Sequence, residues 1–222
     1  NGIAVAAGLA VMEDRTLEHG PMEFLFTVDE ETGMTGALNL EPGFLESRTL
    51  LNLDSEEEGT LYVGCAGGRD TTGTWKTISE KAPDGFTAAR IKVTDLKGGH
   101  SGVEIDKGRG NAVKIAGRIL LALEGTGARL SSLDGGNKHN AIPRECVAVL
   151  YLASKKIEQA GMLVNRLQSE IRNEFASVDP DLRIEFLPLA GGRRGNVLNR
   201  AQQGRIIRTV AALPHGVRKM SA

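Results

Sequence analysis

Short apolar runs alternate with charged or glycine-rich stretches in the first third of the chain. Apolar runs of this length between polar turns predict buried strands, and a longer stretch of small residues predicts a helix. The predicted order is helix, strand, helix, strand, strand, over residues 3–18, 22–28, 34–40, 49–53 and 60–66. Helices and strands in this order predict α/β organisation, with helices packed on a mixed sheet.

The pattern changes at residues 67–84, which are rich in glycine, threonine, aspartate and proline. We interpret this stretch as the crossing between two domains, residues 1–67 and 68–222. Periodicity beyond it predicts strand, helix, strand, strand, helix and strand, over residues 86–96, 111–124, 128–133, 145–152, 156–175 and 182–187. This order is the ferredoxin-like α+β pattern, with its core over residues 86–188. A further helix is predicted over residues 197–213.

The charge balance narrows the classes of partner. Lysine and arginine number 27 and aspartate and glutamate 28, so the formal net charge is −1. This balance argues against nucleic acid or an anionic membrane as the main partner, and no apolar stretch is long enough to span a bilayer. Cys65 and Cys146 lie in apolar runs. We interpret them as core residues rather than a disulfide or a metal site, as fits a cytoplasmic protein.

Carboxylates follow two of the predicted strands. Asp29, Glu30 and Glu31 come directly after one apolar run, and Asp54 ends another. In open α/β sheets, ligands bind at the carboxyl ends of the strands, and grouped carboxylates repel one another unless a cation or protons neutralise them. Zn²⁺, Mn²⁺ and Co²⁺ accept carboxylate oxygens. The pattern therefore predicts a metal site with a spare carboxylate as general base. The alternative is an ordinary helix N-terminus, which acidic residues also favour.

Two polar loops of the second domain are further candidates. Residues 98–102 (GGHSG) carry His100, which is either a solvated surface histidine or a donor to a developing oxyanion. Residues 137–144 (NKHNAIPR) carry Asn140 and Arg144. They form either a hairpin loop or an amide and a guanidinium directed at a peptide carbonyl or carboxylate.

Two other motifs carry no function in this interpretation. Residues 68–73 (GRDTTG) superficially suggest a phosphate loop, but Thr74 stands where that motif needs a lysine, which excludes nucleotide binding there. The basic turn with Arg193 and Arg194 is interpreted as an exposed turn rather than an anion site at the next helix.

Four segments resemble one family of enzymes. They are residues 28–37 (VDEETGMTGA), 50–59 (LLNLDSEEEG), 97–112 (KGGHSGVEIDKGRGNA) and 134–145 (DGGNKHNAIPRE). In this order they resemble aminoacyl-histidine dipeptidases, which are co-catalytic zinc metallopeptidases like the carnosinases and aminoacylases. The resemblance implies part of a zinc-exopeptidase catalytic domain, with a mixed sheet and helices, followed by a ferredoxin-like lid domain.

The resemblance also implies roles in a site with two zinc ions, or with Mn²⁺ or Co²⁺ in their place. Glu30 would be the general base, Glu31 would ligate one metal ion and Asp54 the other. The bridging aspartate and the two histidine ligands of the family have no match from Asn1 onward. We therefore expect the chain to be an internal fragment that alone binds metal weakly and does not hydrolyse dipeptides.

The lid residues receive their roles in the same way. His100 would stabilise the tetrahedral oxyanion when the lid closes, and Asn140 and Arg144 would contact the dipeptide substrate. Two alternatives stay open. One is an aminoacylase or tripeptidase of the same superfamily. The other is a non-catalytic module that forms a homodimer through a sheet edge or helix face of the lid.

Overall fold

The computed structural model describes residues 2–54, 57–65, 67–189 and 195–220. The chain divides into two compact units, Asn1–Thr71 and Thr72–Ala222. The assignment of a catalytic domain to residues 1–67 and a lid to residues 68–222 stays a prediction. The basic turn with Arg193 and Arg194 lies outside the described residues.

The described part of the first unit contains three helices, α1 (Gly2–Glu13), α2 (Glu30–Gly33) and α3 (Thr35–Leu38). The helix predicted over residues 3–18 forms but ends earlier. The side chain of Asp14 there accepts a hydrogen bond of 2.8 Å from the backbone N–H of Thr16, a local turn that competes with continued helix.

The three strands predicted in the first unit do not form in its described part. Side chains that the strand prediction buries, such as those of Phe26, Leu50 and Val63, are exposed. A strand is stable only where its N–H and C=O groups find a partner strand. An apolar run specifies a face to be buried but not the partner that completes the sheet.

The second unit holds three longer helices and all strands of the described chain. The helices are α4 (Ala112–Leu123), α5 (Ile157–Phe175) and α6 (Arg200–Ala212). The strands are β1 (Ser79–Lys81), β2 (Phe86–Thr94), β3 (Gly99–His100), β4 (Arg129–Gly135), β5 (Ala141–Ile142), β6 (Cys146–Ala153), β7 (Arg183–Leu189) and β8 (Asn196–Leu198). The elements from β2 to β7 keep the predicted β-α-β-β-α-β order, with the short strands β3 and β5 and short 3-10 helices inserted between them.

The main sheet has four antiparallel strands in the order β4-β6-β2-β7. Its second strand from the β7 edge, β2, buries alternate residues, as a sheet with one face on a core requires. The core forms between this face and helices α4 and α5, and its fully buried side chains include Ile91, Val93, Ile115, Ile119, Leu150 and Ile171. The ferredoxin-like arrangement predicted from the sequence is confirmed in this unit.

Local sequence signals fix where the helices of this unit begin. The side chain of Asn111 accepts hydrogen bonds from the N–H groups of Val113 and Lys114, at 3.0 and 3.2 Å, and so caps α4. Asn199 caps α6 in the same way through the N–H of Ala201, at 3.0 Å. The helix predicted over residues 197–213 is therefore shorter than expected, because its N-cap lies inside the predicted range.

The two cysteines are free and differ in environment. Cys146 is buried in the core, as predicted, and burial together with the charge of Asp134 raises the pKa of its thiol to about 12. Cys65 is exposed, so its predicted place in a core is wrong. Among the described residues around it, the expected strand does not form. Within the described ranges, no helix has the length and apolar character needed to cross a membrane.

Candidate functional site

The acidic segment of the first unit forms a tight turn at the start of α2. Glu30 and Glu31 occupy the first turn of this short helix and are exposed. The preceding residue, Asp29, has left-handed backbone angles, with φ 61° and ψ 39°. Its carboxylate accepts hydrogen bonds from the hydroxyls of Thr32 and Thr35. These hydroxyls hold the pKa of Asp29 below its usual value, so Asp29 closes the turn while the two glutamates remain available.

A glycine lets this turn fold back on the strand-like run before it. The N–H of Gly36 donates to the carbonyl of Val28 at 3.0 Å. A Cβ at position 36 would lie 2.6 Å from the nitrogen of Val28, closer than real Cβ atoms approach. The acidic segment therefore depends on glycine at this position for its shape.

Asp54 lies in the same unit, where its backbone N–H donates to the side chain of Asn52 at 3.0 Å. The described residues contain no group of three or more His, Cys, Asp or Glu side chains that could hold a metal ion. A catalytic zinc site takes three ligands from the protein. Glu31 and Asp54 are carboxylates of the kind that metals accept, but the described donor set does not complete a site.

In the second unit, His100 lies on a two-stranded antiparallel pair. β3 pairs with β5 so that His100 faces Ala141, and the N–H of Ser101 donates to the carbonyl of Asn140 at 2.9 Å. His100 and Asn140, which were predicted from separate motifs, are therefore neighbours at one end of this pair. Both side chains are exposed.

Arg144 lies beside the other end of the same pair. Its Nε donates to the carbonyl of Leu96 at 3.0 Å, and its aliphatic part packs over Gly98. At Gly98 the backbone has a φ of +65°, and a Cβ would lie 2.3 Å from Cγ of Arg144. The guanidinium thus has a structural contact in addition to any role toward a substrate.

The hydrogen bonds of the His100 ring select one tautomer. Nδ1 accepts from the backbone N–H groups of Gly102 and Val103, at 3.1 and 3.2 Å. A backbone N–H only donates, so Nδ1 must present its lone pair, and the proton of the neutral ring lies on Nε2. The arrangement leaves an exposed imidazole N–H as a hydrogen-bond donor, which is the chemistry expected of an oxyanion-stabilising group.

Two residues that received no role from the sequence hold the backbone around His100. Glu104 accepts the N–H of His100 at 2.9 Å and pairs with Arg109 at 2.8 Å. The hydrogen bond from His100, together with the positive charge of Arg109, holds the pKa of Glu104 below its usual value. Arg109 also donates to the carbonyl of Gly98 at 2.5 Å. Both lie inside residues 97–112, but their spacing alone gave no reason to select them.

The six predicted site residues therefore form two groups, one in each unit. Those in the first unit are Glu30, Glu31 and Asp54, and those in the second are His100, Asn140 and Arg144. The second group is gathered on one antiparallel pair. The roles assigned to all six stay predictions.

The known proteins to which this chain is similar include peptidases. Residues 91–179 match the family model described as a peptidase dimerisation domain. The chain is 40% identical, over 98% of its length, to the cytosol non-specific dipeptidase of Escherichia coli (strain K12), and covers 44% of that protein. It is 25% identical to the uncharacterised protein YqjE of Bacillus subtilis (strain 168), over 79% of the chain and 42% of that protein.

A solved structure matches the entire chain. The crystal structure of aminoacylhistidine dipeptidase from Vibrio alginolyticus is 36% identical, with a TM-score of 0.80, over 100% of this chain and 45% of that one. The chain thus spans less than half the length of these relatives. The comparisons confirm the resemblance to dipeptidases and the predicted fold class.

Proposed function

We propose that the gene product containing this chain hydrolyses dipeptides with the help of bound metal ions. The observation that carries the proposal is the tautomer of His100, whose Nδ1 is occupied by two backbone N–H groups while Nε2 keeps its proton. This N–H would donate to the carbonyl oxygen of the scissile bond as negative charge develops there. The similarity to two proteins named as dipeptidases supports the same reaction.

Glu30 is the proposed general base. It stands at the first position of α2, exposed and next to Glu31. A carboxylate in such a position is suited to take the proton of an attacking water and to pass it to the leaving amine. Asp29 is the less suitable base, because the hydroxyls of Thr32 and Thr35 already occupy its oxygens.

Glu31 and Asp54 are the proposed metal ligands. A bound Zn²⁺, or Mn²⁺ or Co²⁺, would supply Lewis-acid chemistry and lower the pKa of water. The metal dependence rests on the family resemblance of the segments around these two residues. Since the described donors do not complete a site, we expect the chain by itself to bind metal weakly and to be inactive, and the complete gene product to be active.

The proposed substrates are unblocked dipeptides, including those with a C-terminal histidine. Asn140 and Arg144 are the proposed substrate contacts, because an amide and a guanidinium can bind a peptide carbonyl or carboxylate. The location we propose is the cytoplasm, in keeping with the cytosolic relative. Nucleic acid and membrane are not proposed partners, given a net charge of −1.

The test is hydrolysis by the complete gene product with added Zn²⁺, Mn²⁺ or Co²⁺. A panel would contain Xaa-His dipeptides, dipeptides without histidine, tripeptides and N-acyl amino acids. Chelator-sensitive release of amino acids from dipeptides is the expected result, and activity confined to Xaa-His substrates would indicate the narrower specificity. Preferred cleavage of N-acyl amino acids or tripeptides would favour the aminoacylase or tripeptidase alternative, and no hydrolysis with any metal would contradict the proposal.

Self-association is a second proposed property of the second unit. Its match to a peptidase dimerisation domain favours a homodimer. In the described part of the chain, β7 pairs with β2 on one side only, which leaves a sheet edge that a second copy could use. Sedimentation velocity over a range of concentrations should show a dimer. A monomer at all concentrations, or a dimer that survives the charge-introducing change Leu187→Glu on this edge strand, would contradict the proposed surface.

A further inference from the structure

A buried carboxylate outside the proposed reaction connects to the loop that carries His100. Asp179 is 1% exposed. Its Oδ1 accepts the backbone N–H of Lys97 at 2.7 Å, and its Oδ2 accepts that of Gly110 at 2.7 Å. Both distances lie at the short end of the range for N–H···O hydrogen bonds in proteins. Each carboxylate oxygen of Asp179 therefore accepts a hydrogen bond from a backbone N–H.

The two amides lie at opposite ends of one loop. Residues 97–110 leave the sheet after β2, carry His100, and return just before α4. One side chain thus closes both ends of the loop, which restricts the conformations open to everything between them. The return is close-packed, because a Cβ at Gly110 would lie 2.8 Å from Cδ2 of Leu96.

Asp179 is itself held between two regular elements. Its backbone N–H donates to the carbonyl of Phe175, the last residue of α5, at 2.8 Å. Its carbonyl accepts the N–H of Leu182, the residue before β7, at 3.1 Å. Asp179 therefore fixes the ends of the loop relative to α5 and β7.

We propose that Asp179 is a positioning residue for His100. By holding both ends of residues 97–110, it keeps the loop in the conformation in which Nδ1 of His100 accepts the N–H groups of Gly102 and Val103, so that the proton stays on Nε2. We call the two hydrogen bonds from Lys97 and Gly110 to Asp179 the clamp. Its role in catalysis rests on the proposed function. The clamp itself concerns only the loop and the ring.

The test compares ring tautomers by long-range ¹H–¹⁵N NMR of this chain. Asp179→Asn keeps the shape but turns one acceptor oxygen into a donor, so one end of the loop loses its bond. The expected result is one tautomer, protonated on Nε2, in the unaltered chain and a mixture in the variant. A variant that is folded and keeps the single tautomer would overturn the proposal.

Gln203→Met is the matched control. Gln203 is also buried and also binds two backbone groups of the same unit, the N–H of Leu130 at 2.9 Å and the carbonyl of Ala128 at 2.8 Å. None of these contacts involves residues 97–110. We expect this variant to lose stability but to keep the His100 tautomer. An equal change of tautomer in both variants would reduce Asp179 to a general role in stability and overturn the proposal.

Hydrogen exchange of the unaltered chain gives a second measurement if Asp179→Asn does not fold. The amides of Lys97 and Gly110 should exchange at least roughly a hundredfold more slowly than in an unstructured peptide, as expected for buried, bonded amides. Exchange of either amide at the unprotected rate would overturn the clamp.

In the complete gene product, Asp179→Asn should lower kcat roughly tenfold to a hundredfold and change KM little, since a misplaced group acts mainly on the transition state. A fall in kcat/KM through KM alone would overturn the positioning role. An unaltered protein without any activity, but with the tautomer and exchange as expected, would contradict the proposed function and leave the clamp intact.

Discussion

At the scale of single residues, we expect the ring of His100 to matter for catalysis and little for stability. Its side chain is exposed and its contacts are to the adjacent backbone, so removal should cost little stability. We expect His100→Ala to lower kcat of the complete gene product by about a hundredfold to a thousandfold, the range for an oxyanion donor. Steady-state kinetics with a dipeptide would measure this.

His139→Ala is the control for this prediction, because His139 is an exposed histidine in the adjacent loop with no assigned role. It should leave kcat within about twofold of the unaltered value, a change too small for a lost transition-state contact. Equal losses in both variants would show that the exposed ring of His100 has no special part in the reaction.

Two glycines in the loop of residues 97–110 test whether side-chain packing or backbone conformation makes glycine necessary there. Gly98 and Gly108 have nearly the same φ, +65° and +66°, so alanine meets similar backbone strain at both. Only at Gly98 would the new Cβ meet other atoms, the aliphatic part of Arg144 and the carbonyl of Ile142. We expect Gly108→Ala to cost about 1 kcal/mol of unfolding free energy and Gly98→Ala about 2–4 kcal/mol.

Urea unfolding of this chain would measure both losses. A Gly98→Ala cost no larger than that of Gly108→Ala would mean that Arg144 moves aside freely, and the tight contact seen there would have no energetic weight. Restored stability in the double variant with Arg144→Ala would identify that side chain as the obstacle.

The residues that sequence motifs identified differ from those that only the structure reveals. Glu30 and His100 stand out because an unusual local pattern surrounds each of them. Glu104, Arg109 and Asp179 do not, because their importance comes from partners that the fold brings to them. Asp179 contacts amides far away in the sequence, and no local spacing indicates such a bond.

At the scale of elements, prediction succeeded where an element carries its own signals. Helix α4 has both an apolar face and the N-cap Asn111, and β2 alternates between buried and half-buried residues from Ala89 on. Both elements were predicted within a few residues. The short strands β3 and β5 were missed, since each is defined by the other and not by its own pattern. The strands expected in the first unit lack partners in the described chain, and an apolar run cannot supply one.

A lysine on α4 contacts the carboxyl end of α6. Nζ of Lys114, on α4, donates to three carbonyls at the end of α6, those of Val210 at 3.0 Å, Ala211 at 2.6 Å and Leu213. A cation there complements the negative end of the helix dipole. We expect Lys114→Met to lower the free energy of unfolding by about 1–3 kcal/mol and to speed hydrogen exchange in the last turn of α6.

Arg118→Met is the matched control on the same helix. Arg118 forms an ion pair of 2.8 Å with Glu174, and the two side chains are 45% and 49% exposed. Exposed pairs contribute little, so the loss should stay below about 1 kcal/mol. Chemical denaturation of the two variants side by side decides the matter, and equal losses would show that the contact with α6 is no more important than a surface ion pair.

At the scale of the whole molecule, the chain carries its candidate chemistry in two separate units. The boundary of the compact units lies between Thr71 and Thr72, within residues 67–84, where glycine-rich sequence interrupts the apolar pattern. The assignment of a catalytic domain and a lid to the two sides stays a prediction. Of the candidate site, the complete set of metal ligands is the hardest to predict from the pattern of one sequence. Coordination requires donors from distant segments to converge, and the described residues gather no such group.

Metal content therefore tests the proposed function at this scale. With Glu31 and Asp54 as the proposed ligands, the isolated chain should retain well below one zinc ion after gel filtration, because catalytic sites take at least three protein ligands. The complete gene product should retain about two. Inductively coupled plasma mass spectrometry measures both.

In the complete gene product, Glu31→Gln should reduce the metal content to about one ion. The control is Glu41→Gln, which changes an exposed glutamate of the same unit and should leave the metal content unchanged. If the complete gene product retains no metal, the acidic turn is an ordinary helix N-terminus, and a role in self-association becomes the better account of the molecule.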